Sequence, residues 1–273
     1  MRIGAPLLKQ VKDPKEWTNE HLRRGYLAAY CPDLTIQDTA EIRAYRQAAR
    51  DADIVIAEVG AWSNPLSDDA AIRQSALQRC KEQLALTEEI GAICCVNIAG
   101  SRSAQWDGPH PDNFTPDTFA LIVDNVRDII DAVKPKTSYF TLEVMPWIFP
   151  NDAETYLSLM KAIDREAFGV HLDPVNMIAS PALFFHNRKL LLECFMLLGP
   201  YIRSCHAKDV VLSSELTVHL SEVRPGLGGL DYYTYLKLLR SLNRDVPLML
   251  EHLLDDEAYQ EAAKFILYTA SRI

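Results

Sequence analysis

Four side chains of the kinds that bind metal ions lie at the ends of four short hydrophobic segments. The residues are Glu143, Asp173, His206 and Glu251, and they are about 30 to 45 residues apart in the chain. That spacing is the length of one βαβ unit. If the segments are neighbouring strands of a barrel, their carboxyl ends converge on one face and the four side chains meet there. Three carboxylates and an imidazole would then repel one another unless a divalent cation held them together.

The types of these side chains narrow the choice of ion. One imidazole and three carboxylates suit a hard or borderline octahedral cation, so the sequence predicts one divalent metal ion, Mn²⁺, Mg²⁺ or Co²⁺. The set contains no thiolate and no group of three histidines, which argues against a structural zinc site. A site of this kind leaves coordination positions for two oxygens of a substrate.

Strand-like segments recur along the whole chain and would position these side chains. We predict eight strands, at Arg2–Ala5, Tyr26–Tyr30, Ile54–Val59, Ile93–Ile98, Tyr139–Val144, Phe168–Leu172, Ile202–Ala207 and Pro247–Glu251. Helical patterns lie between most of them, at Thr35–Asp51, Asp68–Ile90, Pro116–Val133, Asp152–Asp164, Pro181–Leu198, Asp231–Leu242 and Asp256–Ser271. Strict alternation of strand and helix predicts a parallel sheet. With 273 residues, the prediction is a single (β/α)₈ TIM barrel domain over residues 1–273.

Alternation within the strands supports convergence of the polar residues. Glu143 shares a face with Thr141, and His206 shares a face with Ser204, whereas Leu142 points to the opposite side. The polar face would point into the barrel mouth and the apolar face would pack under the helices. The segments 106–114 and 211–230 are the long irregular stretches, and both follow a strand on the predicted active face, where long loops are usually functional.

Composition limits the partners and the location. The formal net charge is -9, which disfavours a nucleic-acid partner because phosphates would be repelled. No apolar run approaches the roughly 20 residues of a membrane span, and the amino-terminal residues do not resemble a secretion signal. Six cysteines without a C-x-x-C pair are compatible with the reducing cytoplasm. The oligomeric state stays open and includes a homo-oligomer.

Several segments resemble those of the xylose-isomerase-like TIM barrels, the branch of sugar isomerases and ketose 3-epimerases often called sugar phosphate isomerase/epimerase. They are Thr141–Trp147, Gly169–Asn176, Cys205–Asp209, Glu222–Gly226 and Leu248–His252. The resemblance covers essentially the whole chain and is specific from Glu143 onward. It implies that Glu143, Asp173, His206 and Glu251 bind one divalent metal ion and that the two glutamates are the acid/base pair. It also implies that Arg224 contacts the substrate.

The chain departs from the family epimerases at two positions. Phe149 stands where they carry a second glutamate, and Asn176 stands where they carry a histidine. Phe149 cannot hydrogen-bond to a sugar hydroxyl, and Asn176 cannot titrate.

Other residues are candidates for contact with the substrate. Lys208 shares strand parity with His206 and could reach the barrel mouth, or it could form a loop salt bridge with Asp209. Asn176, Glu58 and Trp62 could also line a sugar pocket, although a core or rim role suits Trp62 equally well. We expect His171 to be an interior hydrogen-bonding residue below the metal, and His252 to support the ligand beside it. The Gly226-x-Gly228-Gly229 loop could hold a phosphate, but a plain turn suits it better.

These residues predict a metal-dependent isomerase or epimerase of a small sugar or polyol-derived ketone, in which two glutamates move a proton through an enediolate. An inosose-type dehydratase on the same scaffold is the main alternative. An endonuclease IV-like phosphodiesterase would need several more histidines for a multi-metal cluster, and a non-catalytic sugar-binding barrel would tolerate loss of Glu143.

Overall fold

Eight parallel strands close into a barrel in a computed structural model that describes residues 1–273. The barrel strands are β1 (Ile3–Gly4), β2 (Ala28–Tyr30), β3 (Val55–Gly60), β4 (Cys94–Asn97), β5 (Tyr139–Glu143), β6 (Phe168–Leu172), β7 (Ile202–Ala207) and β10 (Leu248–Leu250). Around the barrel their order is β1-β10-β7-β6-β5-β4-β3-β2. The predicted (β/α)₈ TIM barrel is therefore confirmed.

Helices connect the strands on the outside of the barrel. They are α1 (Pro14–Arg23), α2 (Thr39–Asp51), α3 (Ala70–Ile90), α4 (Pro116–Val133), α5 (Ala153–Ile163), α6 (Pro181–Phe185), α7 (Asn187–Leu198), α8 (Tyr232–Ser241) and α9 (Asp256–Ala270). Short 3₁₀ turns lie at Pro111–Phe114 and Gly199–Tyr201. None of the helices combines the length and the apolarity that a membrane crossing would require.

Side-chain caps explain where several helices begin. The hydroxyl of Thr115 accepts from the backbone N–H of Thr118 at the start of α4, and Asp152 and Thr155 form a reciprocal capping box at the start of α5. Each cap satisfies backbone donors that have no partner within the helix. Helix α3 ends at a glycine: Gly91, directly after it, has a φ of 77°. This is a left-handed conformation that a glycine adopts without strain.

The structure differs from the predicted elements in three places. Helix α1 was not predicted, although Asp13 caps it and Pro14 occupies its first turn. The helix predicted over Pro181–Leu198 is broken into α6 and α7 at His186, which has a non-helical φ of -115°. The segment predicted to be irregular contains an antiparallel hairpin of β8 (Asp209–Leu212) and β9 (Leu220–Val223).

The main hydrophobic core, of 49 buried residues, consists of residues from the strands and from the surrounding helices. The interior of the barrel also contains polar side chains: Thr141, His171 and Ser204 are completely buried there. Gly4 leaves room for the Met249 side chain, since a Cβ at position 4 would lie 2.6 Å from the Met249 sulfur. The interior therefore supports a polar layer directly below the carboxyl ends of the strands.

Candidate metal and substrate site

Four side chains converge at the carboxyl ends of four neighbouring strands. Glu143 ends β5, Asp173 follows β6, His206 lies in β7 and Glu251 follows β10. One ligand atom from each lies within 4.8 Å of the others. Asp173 and His206 are completely buried, and Glu143 and Glu251 are nearly so. Neighbouring parallel strands thus bring together residues that are far apart in the chain, as the predicted ligand set requires.

The imidazole of His206 lies between the carboxylates. Its Nδ1 is 2.7 Å from Glu251 Oε1, 3.3 Å from Glu143 Oε1 and 3.7 Å from Asp173 Oδ2. Burial would lower the pKa of His206, but the nearby carboxylates, led by Glu251, outweigh burial and raise it well above its usual value. Conversely, burial would raise the pKa of Glu251, but His206 outweighs it and lowers that pKa to about 2.

The Lys208 ammonium also lies among these carboxylates. Its Nζ is 2.5 Å from Glu251 Oε1, 2.8 Å from Asp173 Oδ2 and 3.5 Å from Glu143 Oε1. Burial would lower the pKa of Lys208, but the carboxylates, led by Asp173, raise it well above its usual value. Burial would likewise raise the pKa of Asp173, but Lys208 and His206 outweigh burial and lower it. Lys208 therefore stays charged and neutralises part of the acidic cluster.

The donor atoms fit a divalent cation. Asp173 Oδ2 and Glu251 Oε1 are buried, and neither takes part in a hydrogen bond of ordinary geometry, despite their short distances to Lys208 and His206. Buried oxygens without hydrogen bonds are costly unless something else satisfies them. One imidazole nitrogen and three carboxylate oxygens suit Mg²⁺, Mn²⁺ or Co²⁺. These four residues could hold such an ion.

Asn176 connects the ligand loop to Glu143. Asp173 Oδ1 accepts from the backbone N–H groups of Val175 and Asn176, which shapes the turn after β6. The Asn176 amide then donates to Glu143 Oε1 and to the Val144 carbonyl, both at 3.0 Å. This neutral side chain can orient the Glu143 carboxylate without adding a charge.

Glu58, which we predicted to line the substrate pocket, lies instead beneath the cluster. Its carboxylate is completely enclosed, accepts from the Ser204 hydroxyl, and approaches His206 Nε2 at 3.3 Å. Burial would raise the pKa of Glu58, but His171 and His206 outweigh it and lower the pKa. The side chain touches the ring of a candidate ligand and is not part of the cavity wall.

His171 occupies the predicted interior position but not the predicted hydrogen bond. Neither ring nitrogen forms one, and Nδ1 lies 3.5 Å from Glu58 Oε1. The His171 ring meets the His206 ring edge-on, with their centroids 4.1 Å apart. Burial, and next the His206 charge, lower the pKa of His171. Glu58, His171 and His206 form a second group whose potential ligand atoms lie within 4.8 Å of one another.

A cavity of about 560 Å³ opens above the four candidate ligands. Glu143, Glu251, Asn176 and Lys208 contribute to its surface, and so does the predicted Trp62. Arg224 does not: it lines a smaller neighbouring cavity, and its guanidinium lies 3.4 Å from the Pro225 carbonyl.

His252 lies at the cavity's edge, with Nδ1 3.3 Å from Glu222, and this contact raises the pKa of the imidazole. The cavity also exposes residues that sequence reasoning did not single out, namely Trp106, Asp107 and Glu222. They come from the two long segments, 106–114 and 211–230, that were predicted to lie on this face, and segment length was the only signal for them.

Two further sequence features are accounted for by local packing. Phe149 packs edge-on against the rings of Phe114 and Phe119, at centroid distances of 5.4 and 5.6 Å. The glycine loop is closed by a carboxylate of the chain itself, because Asp209 accepts from the backbone N–H groups of Gly226 and Gly228, each at 3.0 Å. The loop is therefore a turn built around Asp209.

The chain belongs to the Xylose isomerase-like TIM barrel family, whose sequence pattern matches residues 29–268. No curated protein sequence matches it.

Similar solved structures span several reactions. A Xylose isomerase-like TIM barrel protein from Mycobacterium smegmatis in complex with magnesium is 16% identical, with a TM-score of 0.70 over 99% of this chain and 97% of that one. D-psicose 3-epimerase from Clostridium cellulolyticum with D-tagatose is 16% identical, with a TM-score of 0.71 over 99% of each chain. Endonuclease IV from Thermus thermophilus is 12% identical, with a TM-score of 0.74 over 100% of each chain. Epimerase, dehydratase and endonuclease neighbours at such identities show the shared fold alone.

Proposed function

We propose that the protein is a divalent-metal-dependent isomerase or epimerase of a small sugar or a polyol-derived ketone. One observation carries the proposal: Glu143, Asp173, His206 and Glu251 converge at the floor of one cavity, with two of the carboxylates exposed to it. In this assignment the four residues hold one ion, Mn²⁺, Mg²⁺ or Co²⁺. Such an ion, when bound, polarises a substrate carbonyl and its neighbouring hydroxyl.

The two glutamates would act as base and acid. Glu143 comes from β5 and Glu251 follows β10, and β6 and β7 separate these strands in the barrel. The two carboxylates therefore reach the cavity from different sides. One removes the proton from the carbon beside the carbonyl, which leaves an enediolate, and the other returns a proton to the same or the neighbouring carbon.

Neighbouring side chains hold these groups in place. Asn176 donates to Glu143 at 3.0 Å, and Lys208 lies within 3.5 Å of both glutamates. Fixed carboxylates lose little freedom on reaching the reactive geometry. In this assignment Lys208 also offers a donor, and Asn176 offers its amide oxygen as an acceptor, to substrate hydroxyls, and Trp62 contacts the substrate at the cavity wall.

The proposed partner is a small molecule and not a nucleic acid. His21, His110, His186 and His219 are absent from both groups of candidate ligands, so this chain does not supply the extra imidazoles of a multi-metal phosphodiesterase. The six unpaired cysteines fit the predicted reducing cytoplasm.

Exchange of carbon-bound hydrogen in D₂O tests the reaction. The protein is stripped of metal, reloaded with Mn²⁺, Mg²⁺ or Co²⁺, and incubated with ketoses and inososes while NMR follows the products. We expect metal-dependent deuterium incorporation without loss of water. Water loss would show the dehydratase instead, and cleavage of abasic-site DNA with several metals per chain would show the endonuclease. Sugar binding without exchange would show a binding protein.

A further inference from the structure

Two exposed tryptophans stand at the wall of the cavity, above the acidic floor. Trp62 and Trp106 each leave 41% of their surface exposed, although tryptophan is usually well buried. Both line the cavity of about 560 Å³, which lies within the range that encloses ligands larger than one simple sugar. We propose that the substrate is an uncharged saccharide in which the reacting ketose carries a second sugar ring, and that this ring packs on Trp62 and Trp106. The inference rests on the proposed function and names its substrate class.

The fold holds Trp62 in place. It follows β3, and its indole lies against Gly60: a Cβ at position 60 would come within 2.4 Å of the indole nitrogen. Only a residue without a side chain therefore lets the ring adopt this position. An indole offers a flat apolar face together with an N–H donor, which matches the alternating C–H and hydroxyl groups of a sugar ring.

The loop that carries Trp106 is also fixed. Next to it, the Asp107 carbonyl accepts from the Trp147 indole N–H at 2.6 Å. The buried Asn113 donates to the Gly108 carbonyl at 3.2 Å and to the Trp147 carbonyl at 3.1 Å. A loop fixed directly after Trp106 presents this side chain to the cavity with a smaller entropy cost of ordering it on binding.

The charges at the cavity argue against an anionic substrate. Lys208 is the only Lys or Arg among the lining residues, and its ammonium already lies against Asp173 and Glu251. A divalent ion and Lys208 together balance the three carboxylates of the cluster. Asp107 and Glu222 then remain at the mouth, and His252, which lies 3.3 Å from Glu222, can offset only one of them. A phosphate or carboxylate on the substrate would therefore still meet like charge.

The other possible anion sites do not reach the cavity. The backbone N–H groups of Gly226, Gly228 and Leu230 all donate to the Asp209 carboxylate, which leaves that loop no room for a phosphate. Arg224 lines a different cavity. A second neutral ring can pack on the two tryptophans, whereas a phosphate would find only His252, which already contacts Glu222.

Three ketoses that differ at one oxygen test the inference. They are fructose, fructose 6-phosphate, and isomaltulose, in which a glucose ring occupies the oxygen that carries the phosphate. Calorimetry on the metal-loaded protein gives the three dissociation constants. We expect isomaltulose to bind about tenfold more tightly than fructose, a gain of about 1.4 kcal/mol that lies within the range of an aromatic contact. Fructose 6-phosphate should bind no more tightly than fructose.

Two variants test whether the tighter binding of isomaltulose depends on Trp62 and Trp106. Trp62→Ala and Trp106→Ala should each weaken the binding of isomaltulose far more than the binding of fructose. Tyr268→Ala removes an exposed aromatic ring on α9, which is 63% exposed and lies outside the cavity, and should change neither. Preference for fructose 6-phosphate, equal weakening of all ketoses in the tryptophan variants, or no binding of isomaltulose would each overturn the inference.

Failure of the proposed function has a different signature. In that case the sugars show no exchange with D₂O, whatever their order of affinity. If hydrogen exchange is fastest with fructose 6-phosphate, the proposed isomerase function stands and the proposed uncharged two-ring substrate is wrong.

Discussion

The carboxylate of Glu58 lies directly beneath His206, with Oε2 3.3 Å from Nε2, inside the barrel. The other ring nitrogen, Nδ1, faces Glu251, Glu143 and Asp173. A carboxylate at Nε2 favours the tautomer that carries its proton there and leaves the Nδ1 lone pair free for a metal ion. Ser204 donates to the same carboxylate and thereby fixes its position.

Glu58→Gln should therefore weaken metal binding. Loss of such a supporting carboxylate costs about 10- to 100-fold in metal affinity, and the amide keeps the size of the side chain. Calorimetric titration of the metal-free protein with Mn²⁺ measures the change. Glu88→Gln is the matched control, because Glu88 accepts from the backbone of Thr137 and Ser138, outside the cluster. Equal affinities in Glu58→Gln and the parent would contradict the supporting role.

His206→Ala should reduce metal content and activity together while the barrel stays folded. The variant removes the one imidazole among the four candidate ligands, and the remaining carboxylates come from other strands. Elemental analysis gives the metal content, and circular dichroism checks the fold. A variant that binds Mn²⁺ as tightly as the parent would exclude the proposed site.

Glu251→Gln should separate binding from turnover. The amide keeps an oxygen for the metal but cannot accept the substrate proton, and loss of a general base typically costs about 10²–10⁴-fold in rate. We expect metal and sugar affinity to be largely retained and C–H exchange in D₂O to be lost.

Glu143→Gln should behave in the same way. If the two glutamates serve opposite faces, each variant loses exchange from one epimer more than from the other. Normal turnover in both variants would reject the acid/base assignment.

Asp173 should make the stability of the metal-free protein depend on pH. Its pKa is lowered in the folded state because Lys208 and His206 outweigh burial. A carboxyl of this kind stabilises the fold above its unfolded pKa of about 3.9, and the contribution is lost as the pH falls toward the folded pKa. The raised pKa values of Lys208 and His206 leave both protonated throughout this acid range.

We therefore expect the Tm of the metal-free parent to fall more steeply than that of Asp173→Asn between about pH 5 and about pH 3. The asparagine keeps an oxygen for the turn that Asp173 forms with Val175 and Asn176. Calorimetric melting curves of both proteins measure the difference. Parallel pH profiles would show that Asp173 carries no such linkage.

Much of this architecture follows from local patterns in the sequence. Apolar runs ending in Glu143, Asp173, His206 and Glu251, separated by the length of one βαβ unit, predict strands whose carboxyl ends meet. Strand periodicity also predicts which side chains share a face. The break at His186 was missed because short-range propensities place element boundaries poorly when tertiary packing decides them. Helix α1 was missed although Asp13 and Pro14 are local start signals.

Only the tertiary structure decided what each polar residue faces. The sequence places Glu58 near the end of a strand, as it does the four candidate ligands, yet β3 continues to Gly60. Glu58 therefore lies below His206 and out of the cavity. Arg224, inside the family-like segment Glu222–Gly226, follows the β8–β9 hairpin and lines a neighbouring cavity. Trp106 reaches the site from a loop, and Glu222 reaches it from β9 of the hairpin. Strand periodicity specifies the face of a residue, but its depth in the barrel and the course of a loop depend on contacts between distant segments.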